Sequence, residues 1–344
     1  MDTAPSSVAE LDNRAAVPTE AAIDALRSID GPIVVAGAGG KMGFHLCSML
    51  YRALESLGKT PDIRAVSRFG DAETRSAFES AGLHVTSADL TTDEGVSALP
   101  DAAAVFYLAG RKFGTADSPE TLRLFNEEMP ARVAHRYRQV PIVALSTGCV
   151  YPFVSPESGG SVETDPIGPA GDYAISCAGR ERAFLASSEK HRTPLALIRL
   201  NYSVDLRYGV LVDIASRVWE GGPVDVAMGY LNCIWQGDAV AATIASISRA
   251  APAPDAFILN VTGKQILSVR EVAQWFAKRF QRSVTISGTE ADTAWLNDAS
   301  LSHQLFGAPT LSEETLLEWV ADWIENDRPL LGKPTHFEVR DGKY

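Results

Sequence analysis

Gly37, Gly40 and Gly43 are the first residues of this chain whose spacing carries chemistry. They fall in Gly31-Pro-Ile-Val-Val-Ala-Gly-Ala-Gly-Gly-Lys-Met-Gly43, after a short apolar run and before Phe44-His-Leu-Cys-Ser-Met-Leu50. Strand, glycine turn and helix form the setting of a dinucleotide-binding loop. Gly37 permits the tight turn, and Gly40, with Gly39 beside it, lets the backbone approach a pyrophosphate. Gly43 lets the helix pack close to the strand. Lys41 and Met42 sit at the helix start, whose free N–H groups face the anion. A second signal is Ser67-Arg68, at the end of the next strand. An NAD site usually carries Asp or Glu there, to accept from the ribose 2′-hydroxyl. A hydroxyl and a guanidinium suit a 2′-phosphate better, which favours NADP over NAD. The alternative is a solvated Arg68 and an NAD site made through backbone contacts.

The elements that must position these residues alternate along the chain. Ile33–Ala36 reads as a buried strand, and a helix follows to about Leu57. Ile63–Ser67 is the second strand. A third runs from His84 and ends at Asp89-Leu90, where an adenine edge would lie. Ala103–Gly110 is the fourth, closing in Leu108-Ala109-Gly110, and its polar sequel Arg111-Lys112 falls at the ligand-binding edge of the sheet. A helix from about Pro119 to Arg138 carries Asn126. Val140–Leu145 is the fifth strand and runs into Ser146-Thr147-Gly148-Cys149-Val150-Tyr151. After a Pro- and Gly-rich loop, a helix from about Asp172 contains Tyr173 and Cys177. Pro194–Leu200 is the sixth strand and ends in Asn201-Tyr202. This alternation predicts an α/β fold with a doubly wound parallel Rossmann sheet.

The expected organisation has three parts. Residues 1–30 are an N-terminal arm, loose to about residue 18, with a short helix from Thr19 to Ile29. Residues 31–202 are a dinucleotide-binding domain, to which 234–262 return. Residues 203–233 and 263–344 form a smaller mixed C-terminal substrate lobe. Trp319 and Trp323, four apart on the last long helix, read as core.

Composition bounds the function. The chain has 344 residues, 46% hydrophobic and 22% charged, as expected of an ordinary globular protein. A net charge of -12 argues against general affinity for nucleic acid or anionic membrane. No apolar run approaches the ~20 residues of a membrane span. No secretory signal is visible, and the four cysteines are scattered. Free thiols in a reducing cytoplasm are therefore expected. The six histidines lack metal-ligand spacing, so no metal is expected.

From Gly31 to about Glu325 the chain resembles the extended short-chain dehydrogenase/reductase superfamily, in its NAD-dependent epimerase/dehydratase group. The resemblance rests on Gly37-x-x-Gly40-x-x-Gly43, Asp89-Leu90, Leu108-Ala109-Gly110, Asn126, Ser146-Thr147-Gly-Cys-Val-Tyr151, Tyr173, Arg199-Leu-Asn201-Tyr202 and Trp235-Gln-Gly-Asp238. It implies that Thr147 is the catalytic hydroxyl and Tyr173 the catalytic tyrosine. It places Asn201 and Tyr202 beside nicotinamide and substrate, and Cys149, Arg207 and Trp235 toward the substrate. It also implies a homodimer through the helices around Asn126 and Tyr173.

One departure is serious. The family carries Tyr-x-x-x-Lys, and the fourth residue after Tyr173 is Cys177. A tyrosine has an ordinary pKa of about 10. A neighbouring ammonium favours its phenolate, and a thiol does not. Three readings stand open: Cys177 is a filler with the cation supplied elsewhere, by Lys112; catalysis is lost and the chain binds nucleotide as a sensor or scaffold; or Cys177 is itself a functional thiol. Residues 203–235 hold few basic side chains, which favours a small substrate such as a sugar or sugar acid. The leading expectation is an NAD(P)-dependent oxidoreductase or epimerase acting on a hydroxyl or ketone of such a carbohydrate-like substrate. A dehydratase or epimerase that recycles a tightly bound cofactor is the other enzymatic reading.

Overall fold

Short apolar segments, rich in Val, Ile and Ala, build the central sheet. The computed structural model describes residues 3–111 and 118–340. Helices α1 (Val8–Ala15) and α2 (Glu20–Ala25) come first. The chain then alternates through β1 (Ile33–Ala36), α3 (Gly43–Ser56), β2 (Ile63–Ser67), α4 (Ala72–Ser80) and β3 (His84–Ser87). It continues through α5 (Asp93–Ser97), β4 (Ala104–Tyr107), α6 (Pro119–Arg123), α7 (Met129–Arg136), β5 (Ile142–Thr147), α8 (Asp172–His191) and β6 (Leu195–Leu200). The strand Phe257–Val261 completes a seven-stranded sheet, in the order Phe257–Val261, β6, β5, β4, β1, β2, β3. Every pairing is parallel.

The chain steps outward from β1 to β3, then crosses back to lay β4 on the other side of β1. Ala36 stands beside Tyr107 in that pair. The reversal opens a crevice beyond the carboxyl ends of β1 and β4, where open α/β sheets take ligands. Apolar residues fill both faces. Leu46, Leu50, Phe106, Ile198 and Val240 share one core, and Val34, Val105, Val133, Phe184 and Leu197 share the other. A separate core gathers Val210, Ile214, Phe276, Trp295, Trp319 and Trp323, so the two tryptophans of the last helix are interior residues as expected.

The N-terminal residues are not a loose arm. Ser7 caps α1 by accepting from the Glu10 amide, and Leu11 and Ala15 are fully buried in the separate core. Asp12 binds the His45 ring at 2.8 Å and Arg207 at 2.9 Å. Polar and small residues suggested disorder, but only two apolar positions and one carboxylate are needed to seat two helical turns.

The helix expected over 119–138 is also altered. Residues Leu124–Glu128 form a π-turn between α6 and α7. Pro130, in the first turn of α7, has no N–H to donate, and a wider turn accommodates that gap. Asn126 sits in the π-turn and is fully buried. The third strand stops at Ser87, three residues early, because Asp89 turns the chain. Its carboxylate accepts from the Thr91 amide at 2.9 Å and the Thr91 hydroxyl at 2.7 Å.

Leu11→Ala should lower stability by about 2–5 kcal/mol through loss of a buried side chain. Urea unfolding measures this; an unchanged midpoint would return residues 8–15 to the status of a loose arm.

Candidate active site

Two cavities lie over the crevice. The larger, about 410 Å³, is lined by Gly40, Lys41, Met42, Leu108 and Gly110 on the sheet side. Thr147, Cys149, Tyr173, Asn201, Tyr202, Tyr208 and Gln236 line it farther along. The smaller, about 220 Å³, is lined by Gly37, Gly39, Ser67, Arg68, Asp89, Leu90 and Ala109. Gly40, Leu108 and Gly110 border both, so the two form one elongated site along the strand ends.

The glycines are required by contact. Gly37 has φ +91, and a Cβ there would strike the Ala109 backbone. A Cβ on Gly39 would lie 2.6 Å from Ser67 Oγ, and one on Gly43 would strike the Ala38 carbonyl. The loop therefore lies flat on its neighbours and leaves its outer face open. That cradle, a helix N-terminus and an elongated cavity fit a dinucleotide. Among the described residues no group of three His, Cys, Asp or Glu is placed to hold a metal ion.

Helix α8 supplies most of the polar chemistry beneath the larger cavity. Its first turn carries Tyr173 at the cavity wall. Burial pushes the Tyr173 phenol well above its ordinary value of 10; Cys177 acts in the same direction and the Arg180 charge opposes it. Cys177 is fully buried, and burial pushes its thiol up. It is a neutral thiol, not the reactive thiolate of the third reading. Thr147, at the end of β5, lines the cavity, and its hydroxyl accepts from the Cys149 amide at 3.2 Å. Tyr202 adopts φ 40, a conformation rare for a side chain of its size, at the same wall.

A second layer fixes these groups. Glu181 takes the fork of Arg199, with Nε donating at 3.0 Å and Nη2 at 2.8 Å. Both residues are buried. Ser146 Oγ donates to the same carboxylate at 2.6 Å, next to Thr147. Arg199 also donates to Tyr151 Oη at 2.7 Å, and Tyr151 donates to Asn260 at 3.0 Å. The network joins α8, β5, β6 and the last strand of the sheet.

Several expected site residues stand elsewhere. Trp235 is buried and meets Trp319 edge-on at 5.8 Å, so it is a core residue and not a substrate contact. Arg207 borders neither of these two cavities but a third, of about 770 Å³, which also touches Gly39, Gly40 and Lys41. Its guanidinium is forked onto Asp205 at 3.0 and 2.7 Å and reaches Asp12, so its charge is already paired within the protein. Asn126 and Cys177 lie behind the wall rather than on it, and Gly43 lies under the loop. Asn201 borders the cavity, but its amide nitrogen donates to Asn232 and to the Trp295 carbonyl. Lys112 lies outside the described residues. Gln236 was not anticipated. It borders the cavity and donates to His45 Nδ1 at 2.7 Å, which leaves Nε2–H to serve Asp12. Arg180 was not anticipated either.

The profile of the NAD dependent epimerase/dehydratase family matches residues 33–203, from β1 to just past β6. The chain belongs to this family of enzymes. Solved structures of similar fold include the UDP-glucuronic acid 4-epimerase of Bacillus cereus in complex with NAD, at 18% identity and TM-score 0.72, covering 86% of this chain and 99% of that one. The UDP-glucose 4-epimerase of Thermus thermophilus in complex with NAD aligns at 18% identity and TM-score 0.69, covering 86% and 99%. The dTDP-glucose 4,6-dehydratase of Bacillus anthracis in complex with NAD aligns at 16% identity and TM-score 0.70, covering 87% and 97%. No curated protein matches the chain by sequence. These likenesses establish the Rossmann-type fold. No helix among the described residues is long and apolar enough to cross a membrane.

Glu181→Ala should cost about 3–5 kcal/mol, because it leaves the Arg199 charge buried and unpaired. Glu181→Leu with Arg199→Met should recover much of that loss. Denaturant unfolding of the three proteins checks this, and a single-variant cost under about 1 kcal/mol would deny the pair its structural role.

Proposed function

We propose that the protein is a nicotinamide-dependent oxidoreductase or epimerase acting on a hydroxyl or ketone of a small carbohydrate-like substrate. The observation that carries this reading is that Tyr173 and Thr147 line one cavity together with Gly40, Lys41 and Met42 of the glycine loop. Bound nicotinamide would supply or accept a hydride. The structural neighbours, solved with NAD and named for sugar nucleotides, support the cofactor class and a carbohydrate-like substrate.

Residues of the glycine loop and of the smaller cavity hold the dinucleotide. Gly37, Gly39 and Gly40 offer backbone to the pyrophosphate, with Asp89 and Leu90 toward the adenine. Ser67 and Arg68 border that cavity where a ribose 2′-phosphate would be met, which favours NADP over NAD. At the other end, Tyr173 Oη holds a proton. Its raised pKa keeps the phenol neutral, so it acts first as a donor to a substrate oxygen that is gaining charge. The Thr147 hydroxyl gives a second hydrogen bond to that oxygen. Leu108, Leu145, Leu200 and Val210 keep the wall apolar and strengthen both interactions.

The substrate is read as small. Of the lobe's arginines between 203 and 235, Arg207 is held by Asp205 and Asp12, and Arg217 by Glu338 at 2.7 Å. Neither is disposed to clamp a diphosphate. The larger cavity must also accept the nicotinamide end of the cofactor, which leaves room for a sugar or sugar acid more readily than for a nucleotide sugar.

The test is a turnover screen with NADPH and NADH over sugars, sugar acids and nucleotide sugars. Tyr173→Phe and Thr147→Val should each lower kcat by about 10²–10⁴-fold with cofactor affinity unchanged. Ketone reduction should hold level through neutral pH and fall only above about pH 10, as the raised phenol ionises. Unchanged turnover in both variants, or a protein that binds cofactor and turns over nothing, would overturn the assignment.

A further inference from the structure

The lysine missing at position 177 leaves a question of charge, and α8 itself holds an unused cation. Arg180 lies seven residues after Tyr173 and three after Cys177, so all three occupy one face of the helix. Its guanidinium is buried, at 7% exposure, in the interior of the site. Nη1 donates to the Leu145 carbonyl at 3.0 Å and Nη2 donates to Asn126 Oδ1 at 2.6 Å. Nε is buried with no acceptor among the described residues. A Cβ added to Gly110 would strike Nη2, so the guanidinium stands directly behind the residue that borders both cavities.

The surroundings are arranged for this one side chain. Asn126 comes from the π-turn, and its amide nitrogen donates to Ser176 Oγ at 2.9 Å and to the Arg111 carbonyl at 3.0 Å. Its oxygen accepts from Arg180 and from the Arg111 amide at 3.1 Å. Tyr107, at the end of β4, is fully buried, and its hydroxyl has no partner among the described residues. No carboxylate of the described residues is hydrogen-bonded to Arg180; the nearby Glu181 is turned to Arg199. An uncompensated buried guanidinium is costly to hold, and its field acts through a medium that screens poorly.

We propose that Arg180 is the cation that replaces the lysine absent at position 177, a positioning residue that acts on the Tyr173 hydroxyl by its charge from behind the cavity wall. This rests on Tyr173 being the proton donor of the proposed reaction. The family's motif would place the charge one turn after the tyrosine, at the cavity. Here it is set two turns on, inside the wall, and a neutral thiol fills the space between. The groups facing Tyr173 are Cys177 and Arg180 on its own helix and Cys149 from the turn after β5; those facing Arg180 are Cys177, Tyr173, Glu181 and Tyr107. Among the described groups that face Tyr173, Arg180 is the one that favours the phenolate. Its charge works against the burial that raises Tyr173. Gly110 is then a specificity of shape: any larger residue there would displace the guanidinium.

The experiment is a fluorine NMR titration of the full chain labelled with 3-fluorotyrosine, whose more acidic phenol titrates at milder pH. The Tyr173 resonance is assigned by its loss in Tyr173→Phe. In Arg180→Met the Tyr173 midpoint should rise by at least about one pH unit, a tenfold change in proton affinity. Arg180→Lys should stay near wild type, and Arg180→Met with Cys177→Lys should restore the wild-type midpoint by returning the charge to the family's position. Arg180→Gln, which keeps a donor for Asn126, serves as the neutral variant if Arg180→Met does not fold. Equal midpoints in wild type and the neutral variant would overturn the proposal, as would a wild-type resonance that does not move before the protein unfolds. The readout needs no turnover. An inactive protein with the midpoint shift intact would therefore sink the enzymatic reading while leaving Arg180 in its role.

Discussion

Glu181 and Arg199 meet where water does not reach, with both carboxylate oxygens and the arginine fork engaged. A buried pair of this kind contributes little net stability over an apolar substitute, but it tolerates no loss of register. Sliding α8 along the sheet, or turning it, would expose one charge to an apolar interior. The helix that bears Tyr173, Cys177 and Arg180 is thereby held against β5 and β6 in one rotation. Ser146, bound to the same carboxylate, sets the end of β5 and so the place of Thr147. The Thr147 and Tyr173 hydroxyls are therefore fixed relative to each other by a charge pair that neither of them touches.

The same burial that makes the pair specific changes the chemistry at the cavity. Tyr173 sits in surroundings that oppose its phenolate, and Cys177 cannot relieve them. A protein with these constraints is suited to donating a proton more than to abstracting one. The glycine loop, two cavities joined at Gly40, Leu108 and Gly110, and the neutral phenol form one continuous path along the strand ends. The proposed reaction needs the glycine loop and the Tyr173 phenol to border one continuous site, and they do.

What was legible in the sequence follows from the range of each interaction. The strand–glycine–helix unit is local, and its residues lie where the spacing placed them. Thr147 and Tyr173 are each fixed by a short motif at the end of a strand or the start of a helix, and both border the larger cavity. Trp235 was misjudged because its partner, Trp319, is far away in the chain. The pairing of Arg207 with Asp205 was one of two equal readings, whereas its contact with the distant Asp12 left no local signal. The first helix was missed because two buried apolar residues do not stand out in a polar composition. Arg180 carried a readable signal: a charge on the tyrosine's own helical face, two turns along, preceded by Ala178 and Gly179. A search confined to the fourth residue after Tyr173 could not see it. Lys112, the cation favoured from sequence, falls outside the described residues.

The most direct measurement is a diffraction structure of the protein with NADPH bound. The account predicts adenine in the smaller cavity beside Asp89 and Leu90, the 2′-phosphate against Ser67 and Arg68, and nicotinamide in the larger cavity on the side of Tyr173 and Thr147. Nucleotide bound elsewhere, or entering with the nicotinamide turned away from both hydroxyls, would contradict it.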